Sequence, residues 1–216
     1  MSTHRKGNRS GVLWRRLTVT RARRVGPLVI TTPERTVVDC ARCLDRPWGL
    51  AVADAALHAG LVDHAQLVAE LTDAPRAEGL TKARWVVEHA RSSPESPLES
   101  LGRADLLLAG RPQTEPQGWL RTARGWVRVD LLDRANRLVL EADGRIKYGE
   151  FPAVWKEKLR EDDIRDLQIE VVRFTMADHH HQEPWLRRYD RALARGRLSA
   201  TQLGPVPVMV PPFRLP

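Results

Sequence analysis

The chain of 216 residues has a formal net charge of +8, 42% hydrophobic residues and two cysteines. This composition is sufficient for one core of moderate size or two small ones. No apolar run approaches the roughly 20 residues that span a bilayer, and no signal sequence opens the chain. We therefore expect a cytoplasmic protein with no membrane contact, in which the cysteines stay reduced.

The first 24 residues form a basic arm. They contain eight Lys and Arg residues and no acidic residue, so the remaining 192 residues are neutral overall. Such an arm is typical of a contact with nucleic acid or another polyanion. The candidate nucleic-acid-binding residues are Arg15, Arg16, Arg23 and Arg24. The alternative is a terminus that only improves solubility.

A mainly helical region follows the arm. Thr32 is a predicted N-cap and Pro33 the first residue of an apolar helix. Further helices are predicted near residues 48–58, 64–71 and 79–91. Cys40 and Cys43 lie within the first helix, where packing is favoured over zinc binding because a zinc site needs two more ligands.

The segment Thr31-Thr-Pro-Glu-Arg-Thr-Val-Val-Asp39 resembles the C-terminal part of AbiEi-type abortive-infection antitoxins, over roughly residues 12–75. The resemblance implies a role in a toxin–antitoxin system and in phage defence. It also implies a preceding winged-helix DNA-binding unit. Because this chain shows none, we expect either a truncated start or a partner that supplies sequence recognition.

Residues 92–97, Ser-Ser-Pro-Glu-Ser-Pro, are a predicted linker. A helix near 97–109 comes next. Residues 113–119 are a candidate strand, which Pro116 restricts to a sheet edge because proline cannot donate to a central ladder.

Two short apolar strands follow, Val127–Leu132 and Leu138–Ala142, joined by the polar residues 133–136. They are expected to pair antiparallel, with Leu132 opposite Arg137. Side chains alternate between the faces of a strand. This register therefore predicts one shared face, consisting of Arg128, Asp130, Val139, Glu141 and Asp143.

Three carboxylates on neighbouring apolar strands repel one another unless a cation neutralises them. Asp130, Glu141 and Asp143 are therefore candidate metal ligands, and their oxygen atoms suit Mg²⁺ or Mn²⁺. The alternative is a structural ion-pair cluster that includes Arg128.

A charged helix is predicted over residues 150–167, a strand over 169–175 and a last helix near 183–195. The pairs Lys158 with Asp162 and Glu161 with Arg165 are spaced i,i+4, which favours a self-paired exposed face. The alternative is that Lys158, Arg160 or Arg165 contacts nucleic acid or the carboxylate site. The histidines at 179–181 are expected in a surface turn, and the prolines from 205 to 216 in an extended tail.

Residues 138–149, 157–162 and 170–175 together resemble the very-short-patch-repair (Vsr) endonuclease-like domain of the PD-(D/E)xK superfamily, over about residues 94–195. The resemblance implies that Asp130 and Glu141 hold a metal ion and that Glu99 points at the same site. Asp143 occupies the position of the superfamily lysine, for which Lys147 is the candidate substitute. Glu99 has an alternative role, since Ser96-Pro-Leu-Glu99 is a capping box.

These observations predict an α+β (α/β-like) protein. A helical antitoxin-like region covers residues 1–92, a restriction-endonuclease-like core with a mixed sheet flanked by helices covers 93–196, and a proline-rich tail covers 197–216. Two functions are compatible with this architecture. One is a Mg²⁺-dependent endonuclease that hydrolyses phosphodiester bonds, with DNA as the expected substrate, in which Asp130, Glu141, Asp143, Lys147 and Glu99 are the catalytic candidates. The other is a non-catalytic nucleic-acid-binding or antitoxin-type regulator on the same fold, acting as a homodimer or with a partner.

Overall fold

A computed structural model describes residues 7–9, 12–14, 22–73, 78–144 and 151–212, with side chains from residue 22 onward except 151–157. The strands are β1 (Gly7–Arg9), β2 (Val12–Trp14), β3 (Ala22–Val25), β4 (Leu28–Thr31), β5 (Glu115–Thr122), β6 (Gly125–Asp133), β7 (Leu138–Ala142) and β8 (Glu170–Phe174). The helices are α1 (Pro33–Cys43), α2 (Arg46–His58), α3 (His64–Thr72), α4 (Leu80–His89), α5 (Pro97–Leu108), α6 (Phe151–Asp166), α7 (Met176–His180) and α8 (Gln182–Leu203).

Helices α1 to α4 enclose a core of small and branched apolar side chains, among them Val38, Leu50, Leu67 and Val86. The helix signals in the sequence are confirmed here: Thr32 is the N-cap of α1 and a proline stands in its first turn. These helices begin and end within two residues of the predicted positions. Their boundaries were predictable because capping and apolar periodicity are local properties of the chain.

Strands β5 to β8 form one mixed sheet in chain order. The first three strands pair antiparallel, and β8 pairs parallel with β7. Strand β5 lies at the edge, as Pro116 predicted. The sheet is covered on both sides by helices, which makes the protein a mixed α+β structure.

Each face of this sheet has its own core. Leu132 and Val139 pack with Ile164 of α6. Leu131 and Leu140 belong to the other core, together with side chains of α5 and α8 such as Leu98 and Trp185. The paired residues Leu131 with Leu140, and Leu132 with Val139, thus point to alternate faces of the sheet.

The predicted register of the β6–β7 hairpin was wrong by two residues. Leu132 pairs with Val139 rather than with Arg137, and Asp133 pairs with Leu138. The cause lies in the turn, where the Asp133 carboxylate accepts hydrogen bonds from the backbone N–H of Asn136 at 3.0 Å and from its side-chain amide at 2.7 Å. This Asx-type turn keeps Asp133 within the strand.

The predicted shared face must be corrected as well. Val139 is buried against α6, whereas Arg128 pairs with Glu95 at 2.8 Å, on the segment before α5. Arg128 and Val139 therefore lie in different environments. The carboxylates come together for another reason, the separation of β6 from β7.

Helix α5 packs against both the helical bundle and the sheet. Ala104 belongs to the core of the bundle, and Leu98 and Leu106 belong to a core of the sheet. Arg103 donates to Asp54 of α2 at 2.7 Å, and both side chains are buried. The loop predicted at residues 92–97 is present, yet the two parts share an extensive interface. The proposed boundary at residue 92 stays a prediction.

Two predictions about the C-terminal region need correction. Helix α8 continues to Leu203, so the region assigned to a tail from residue 197 is helical in its first part. The histidines do not all lie in a surface turn, because His179 is on α7 and its ring bonds the buried Asp105 at 2.9 Å. Within the described part of the chain, no helix is long and apolar enough to cross a membrane.

Candidate functional site

The candidate site lies where β6 and β7 separate. Their pairing covers Leu131–Asp133 and Leu138–Leu140 and does not extend to Asp130. The Asp130 carboxylate instead accepts a hydrogen bond from the backbone N–H of Ala142 at 2.8 Å. A side chain thus takes the place that the next backbone acceptor would have in a continuous ladder.

The pairing of β6 with its other neighbour, β5, is also interrupted at Asp130. The β5–β6 register omits Gln117 and Asp130, although the residues on either side of them pair. Gln117 has a φ of 56°, a left-handed conformation that is uncommon outside glycine. This local change directs the Gln117 amide towards Glu99, to which it donates at 2.7 Å.

Glu99 lies in the first turn of α5, and its side chain is directed towards the site. Its backbone N–H donates to the Ser96 hydroxyl at 3.2 Å, which is half of the predicted capping box. Its carboxylate accepts from the backbone N–H of Glu95 at 3.0 Å rather than from Ser96. The side chain is only 5% exposed and lies close enough to Asp130 for its charge to act there. The predicted capping box is therefore only half formed, and the Glu99 carboxylate lies near Asp130 instead of capping the helix.

Glu141 is paired with a cation from α6. The Arg160 guanidinium lies 2.9 Å from the Glu141 carboxylate and also donates to the backbone carbonyl of Arg128 at 2.6 Å. Glu141 also lies within hydrogen-bonding reach of Asp130. Arg160 therefore contacts the carboxylate site, which is one of the contacts considered for the basic residues of α6, and its contact with nucleic acid stays a prediction.

Burial dominates the electrostatics of Asp130. It raises the pKa of this carboxyl group above its ordinary value, and the negative charge of Glu99 raises it further. The hydrogen bonds from Ala142 and with Glu141, and the charge of Arg160, act in the opposite direction. The net effect is a carboxyl group that holds its proton more strongly than an exposed aspartate does.

Each carboxylate of the site is bonded to a protein group, and a metal ion at this site stays a prediction. Asp130, Glu99 and Glu141 each accept hydrogen bonds from protein donors, and Arg160 already supplies a positive charge at Glu141. Among the residues that the structure describes, no group of three or more His, Cys, Asp or Glu side chains is arranged to hold a metal ion. The arrangement instead connects α5, the separating strands and α6 as an ion-pair and hydrogen-bond cluster, which we call the carboxylate cluster.

The remaining catalytic candidates lie at or beyond the end of β7. Asp143 is half-buried, and its backbone N–H bonds the carbonyl of Phe174 at 2.8 Å. In the described residues, the hydrogen bonds of the carboxylate cluster do not involve the Asp143 side chain. Lys147 lies outside the described residues.

The predicted nucleic-acid contacts are dispersed. Lys158 is exposed on α6, and Arg165 forms the expected pair with Glu161 at 2.6 Å. Arg23 and Arg24 are exposed on neighbouring positions of β3, so their side chains point to opposite faces of the β3–β4 hairpin. Arg15 and Arg16 lie outside the described residues.

Sequence reasoning missed two polar contacts. Gln117 carries no pattern that predicts its role, because its orientation depends on a positive φ. The Asp105–His179 pair joins residues 74 positions apart, and Asp105 also accepts from Gln182 at 2.6 Å. Burial raises the pKa of Asp105. Only the packing of α5 against α7 brings these groups together.

Comparison with known proteins identified one family and two relatives. Residues 4–88 match the family described as AbiEi antitoxin C-terminal domain. Two proteins of Mycobacterium tuberculosis, Uncharacterized protein MT2308 of strain CDC 1551 / Oshkosh and Uncharacterized protein Rv2248 of strain ATCC 25618 / H37Rv, are each 29% identical over 183 residues. The alignments cover 83% of this chain and 67% of each relative. No solved structure matches the chain significantly.

The family match confirms the antitoxin resemblance of the N-terminal part and extends it beyond the predicted residues 12–75. It ends before residues 93–196, and the comparisons give no support to a Vsr-like nuclease domain there. The nuclease resemblance of that region stays a prediction.

Proposed function

We propose that this protein is a non-catalytic, antitoxin-type regulator that binds nucleic acid, with DNA as the expected form, and acts with a protein partner or as a homodimer. The observation that carries the proposal is the match of residues 4–88 to the AbiEi antitoxin C-terminal domain. A role in a toxin–antitoxin system, and through it in phage defence, follows from that family. The free thiols of Cys40 and Cys43 suit the cytoplasm as its compartment.

The chemistry of the carboxylate cluster supports a non-catalytic reading. A hydrolytic site needs groups that are available to a metal ion, a water molecule or the substrate. Here Asp130 is bonded to the backbone, Glu99 to the backbone and Gln117, and Glu141 to Arg160. Each of these carboxylates is therefore already bonded to at least one protein group.

The antitoxin proposal is tested by growth. The gene that neighbours this one is expressed alone and together with the full chain, and colony formation is counted. We expect this protein to relieve a growth arrest caused by its neighbour, and the variants Asp130→Asn and Glu141→Gln to relieve it equally well. If the neighbouring gene arrests growth and the parent chain does not relieve that arrest, the antitoxin proposal is wrong.

A second candidate, a Mg²⁺- or Mn²⁺-dependent endonuclease, is favoured by the convergence of Glu99, Asp130 and Glu141. Supercoiled plasmid is incubated with purified protein and each cation, with Asp130→Ala and Glu141→Ala as controls. Nicking by the parent that both variants lose would establish this candidate and overturn the non-catalytic one. Nicking that persists in both variants would indicate a contaminating nuclease.

A further inference from the structure

The outer part of the β5–β6 hairpin presents tryptophan and arginine side chains on one face. Trp119 pairs with Arg128, and Arg121 pairs with Trp126. Directly opposed residues of an antiparallel pair share a face, and so do alternate residues of one strand. All four side chains therefore lie on the same face, which we call the Trp-Arg face.

The opposite face of the hairpin is the buried one. Leu120, Val127 and Val129 pack in the core that contains Ile164 of α6. The Trp-Arg face is turned away from that core. Arg121 is exposed on it, and Trp126 and Arg128 are half-buried. Large aromatic side chains that remain partly accessible beside arginines are typical of binding surfaces.

The charge of the Trp-Arg face is positive. Residues 116–129 contain three arginines and no acidic residue. The Arg121 guanidinium lies 5.7 Å from the centre of the Trp126 ring, and no acidic side chain of the described residues pairs with it. Arg128 pairs with Glu95, but both side chains are more than one third exposed, so this pair is weak and can be exchanged. Arg124 is exposed but is not counted with the Trp-Arg face, because it bonds Asp163 of α6.

We propose that the Trp-Arg face binds single-stranded nucleic acid, with an unpaired base stacked on Trp126 and backbone phosphates on Arg121 and Arg128. Stacking requires a base whose π-face is accessible, which a duplex does not offer along its length. Arginine binds phosphate oxygens with paired donors and also stacks on aromatic rings. The proposal rests on the nucleic-acid-binding part of the proposed function and assigns to it a surface outside the antitoxin-like residues 4–88.

The experiment measures binding of the full chain to a short fluorescent oligothymidylate by anisotropy over a series of salt concentrations. We expect Trp126→Ala to weaken binding by about 5- to 150-fold, because stacking on an aromatic side chain contributes that much per base. Trp126→Phe retains an aromatic ring and is expected to retain most of the affinity. Arg121→Gln should lower the slope of log affinity against log salt by about 0.7, the value for one phosphate contact on a single strand.

Arg187→Gln is the matched control, since Arg187 is an exposed arginine of α8 paired with Glu183. It removes the same charge from another surface and should leave both affinity and salt slope unchanged. Thermal melting shows whether each variant is folded. If the parent binds and the variants of Trp126 and Arg121 bind equally well, the Trp-Arg face is not the contact, although nucleic-acid binding stands. A fluorescent duplex of the same length is measured in the same way. If the parent binds the duplex but not the oligothymidylate, the proposal for the Trp-Arg face is overturned and the nucleic-acid-binding part of the proposed function stands. If the parent binds neither, both are overturned.

Discussion

At the scale of single residues, Asp130 shows how position within a sheet determines chemistry. It stands at the level where the β6–β7 pairing has ended, and its carboxylate replaces a backbone acceptor for Ala142. Its burial raises its pKa, so the ionised form is disfavoured in the folded protein. Asp130 is therefore a group that stabilises the fold best when it is protonated.

This behaviour leads to a prediction about pH. A carboxyl pKa that is higher in the folded state makes stability fall as the pH rises from the ordinary value of 3.8 through the folded-state pKa. In Asp130→Asn the residue no longer ionises, so this decrease of stability with pH is absent. The amide oxygen can still accept the hydrogen bond from the Ala142 N–H. We expect the variant to unfold at the same or a higher denaturant concentration than the parent at neutral pH, with a flatter dependence on pH.

Denaturant unfolding from pH 4 to 8, followed by circular dichroism, checks the prediction, with Asp143→Asn as the control near the same strand end. A variant Asp130→Asn that is less stable than the parent at every pH would contradict it. That result would mean that a charge at residue 130 is required by the carboxylate cluster.

At the scale of elements, Arg160 connects α6 to the sheet through hydrogen bonds. Its guanidinium bonds Glu141 of β7 and the carbonyl of Arg128 in β6. We expect Arg160→Met to lower the free energy of unfolding by about 1–3 kcal/mol, because it leaves partly buried acceptors without this donor. Thermal or denaturant unfolding measures the loss.

Arg165→Met is the control on the same helix, since Arg165 and Glu161 are more exposed. The expected loss is less than about 1 kcal/mol, as is usual for surface pairs. Equal losses in the two variants would show that Arg160 acts only through the general charge of α6.

The contact of α8 with the β6–β7 turn depends on a glycine. A Cβ atom at Gly196 would lie 2.1 Å from the backbone carbonyl oxygen of Asn136, which cannot move aside easily. Gly196→Ala should therefore destabilise the protein by about 1–3 kcal/mol, although alanine is the better helix former.

Gly144→Ala is the matched substitution, because a Cβ atom there meets no atom of the described residues within 4 Å. It should leave the unfolding midpoint almost unchanged. If Gly196→Ala were as stable as the parent, α8 would have to shift away from the turn without cost, contrary to the close packing described above.

At the scale of the whole molecule, a buried ion pair joins the helical bundle to α5, the helix that also packs on the sheet. Arg103 of α5 and Asp54 of α2 have side chains that are 6% and 1% exposed. Arg103→Met leaves Asp54 buried without its cation, for which we expect a loss of about 3–5 kcal/mol at neutral pH. Burial already raises the pKa of Asp54, and Arg103 opposes that rise. The loss should therefore diminish at acidic pH, where Asp54 takes up a proton.

The double variant Arg103→Met with Asp54→Asn separates charge from packing. It should recover part of the stability at neutral pH, because the uncompensated charge has been removed. Denaturant unfolding of the parent, the two single variants and the double variant gives the free energies for a double-mutant cycle. No recovery would mean that the hydrogen bond between Asp54 and the backbone of Arg91, at 2.8 Å, requires the charged carboxylate.

Much of the fold was predictable from local signals. Pro33, Pro97 and the residues before them mark where two helices begin, and Pro116 places its strand at the edge of the sheet. The β6–β7 register was not predictable, because the Asp133 turn and the left-handed conformation of Arg137 shift the pairing. Arg137 adopts that conformation while its guanidinium bonds the carbonyls of Gln168 and Gly204, which are distant in sequence.

The sequence by itself determined the basic composition of the first 24 residues, the antitoxin resemblance, the helices α1 to α6 and α8, the strands β5 to β8, and the acidic residues of the β6–β7 hairpin. These follow from composition, periodicity and capping, which act over a few residues. The sequence did not indicate the strands β1 to β4 or the short helix α7. Only the tertiary structure decided which partner each carboxylate has: Asp130 bonds Ala142, Glu99 bonds Gln117, and Glu141 bonds Arg160. The tertiary structure also decided that two tryptophans and two arginines of the β5–β6 hairpin share one face. Whether a carboxylate faces a metal ion or a guanidinium depends on which distant element packs beside it, and that is a property of the whole fold.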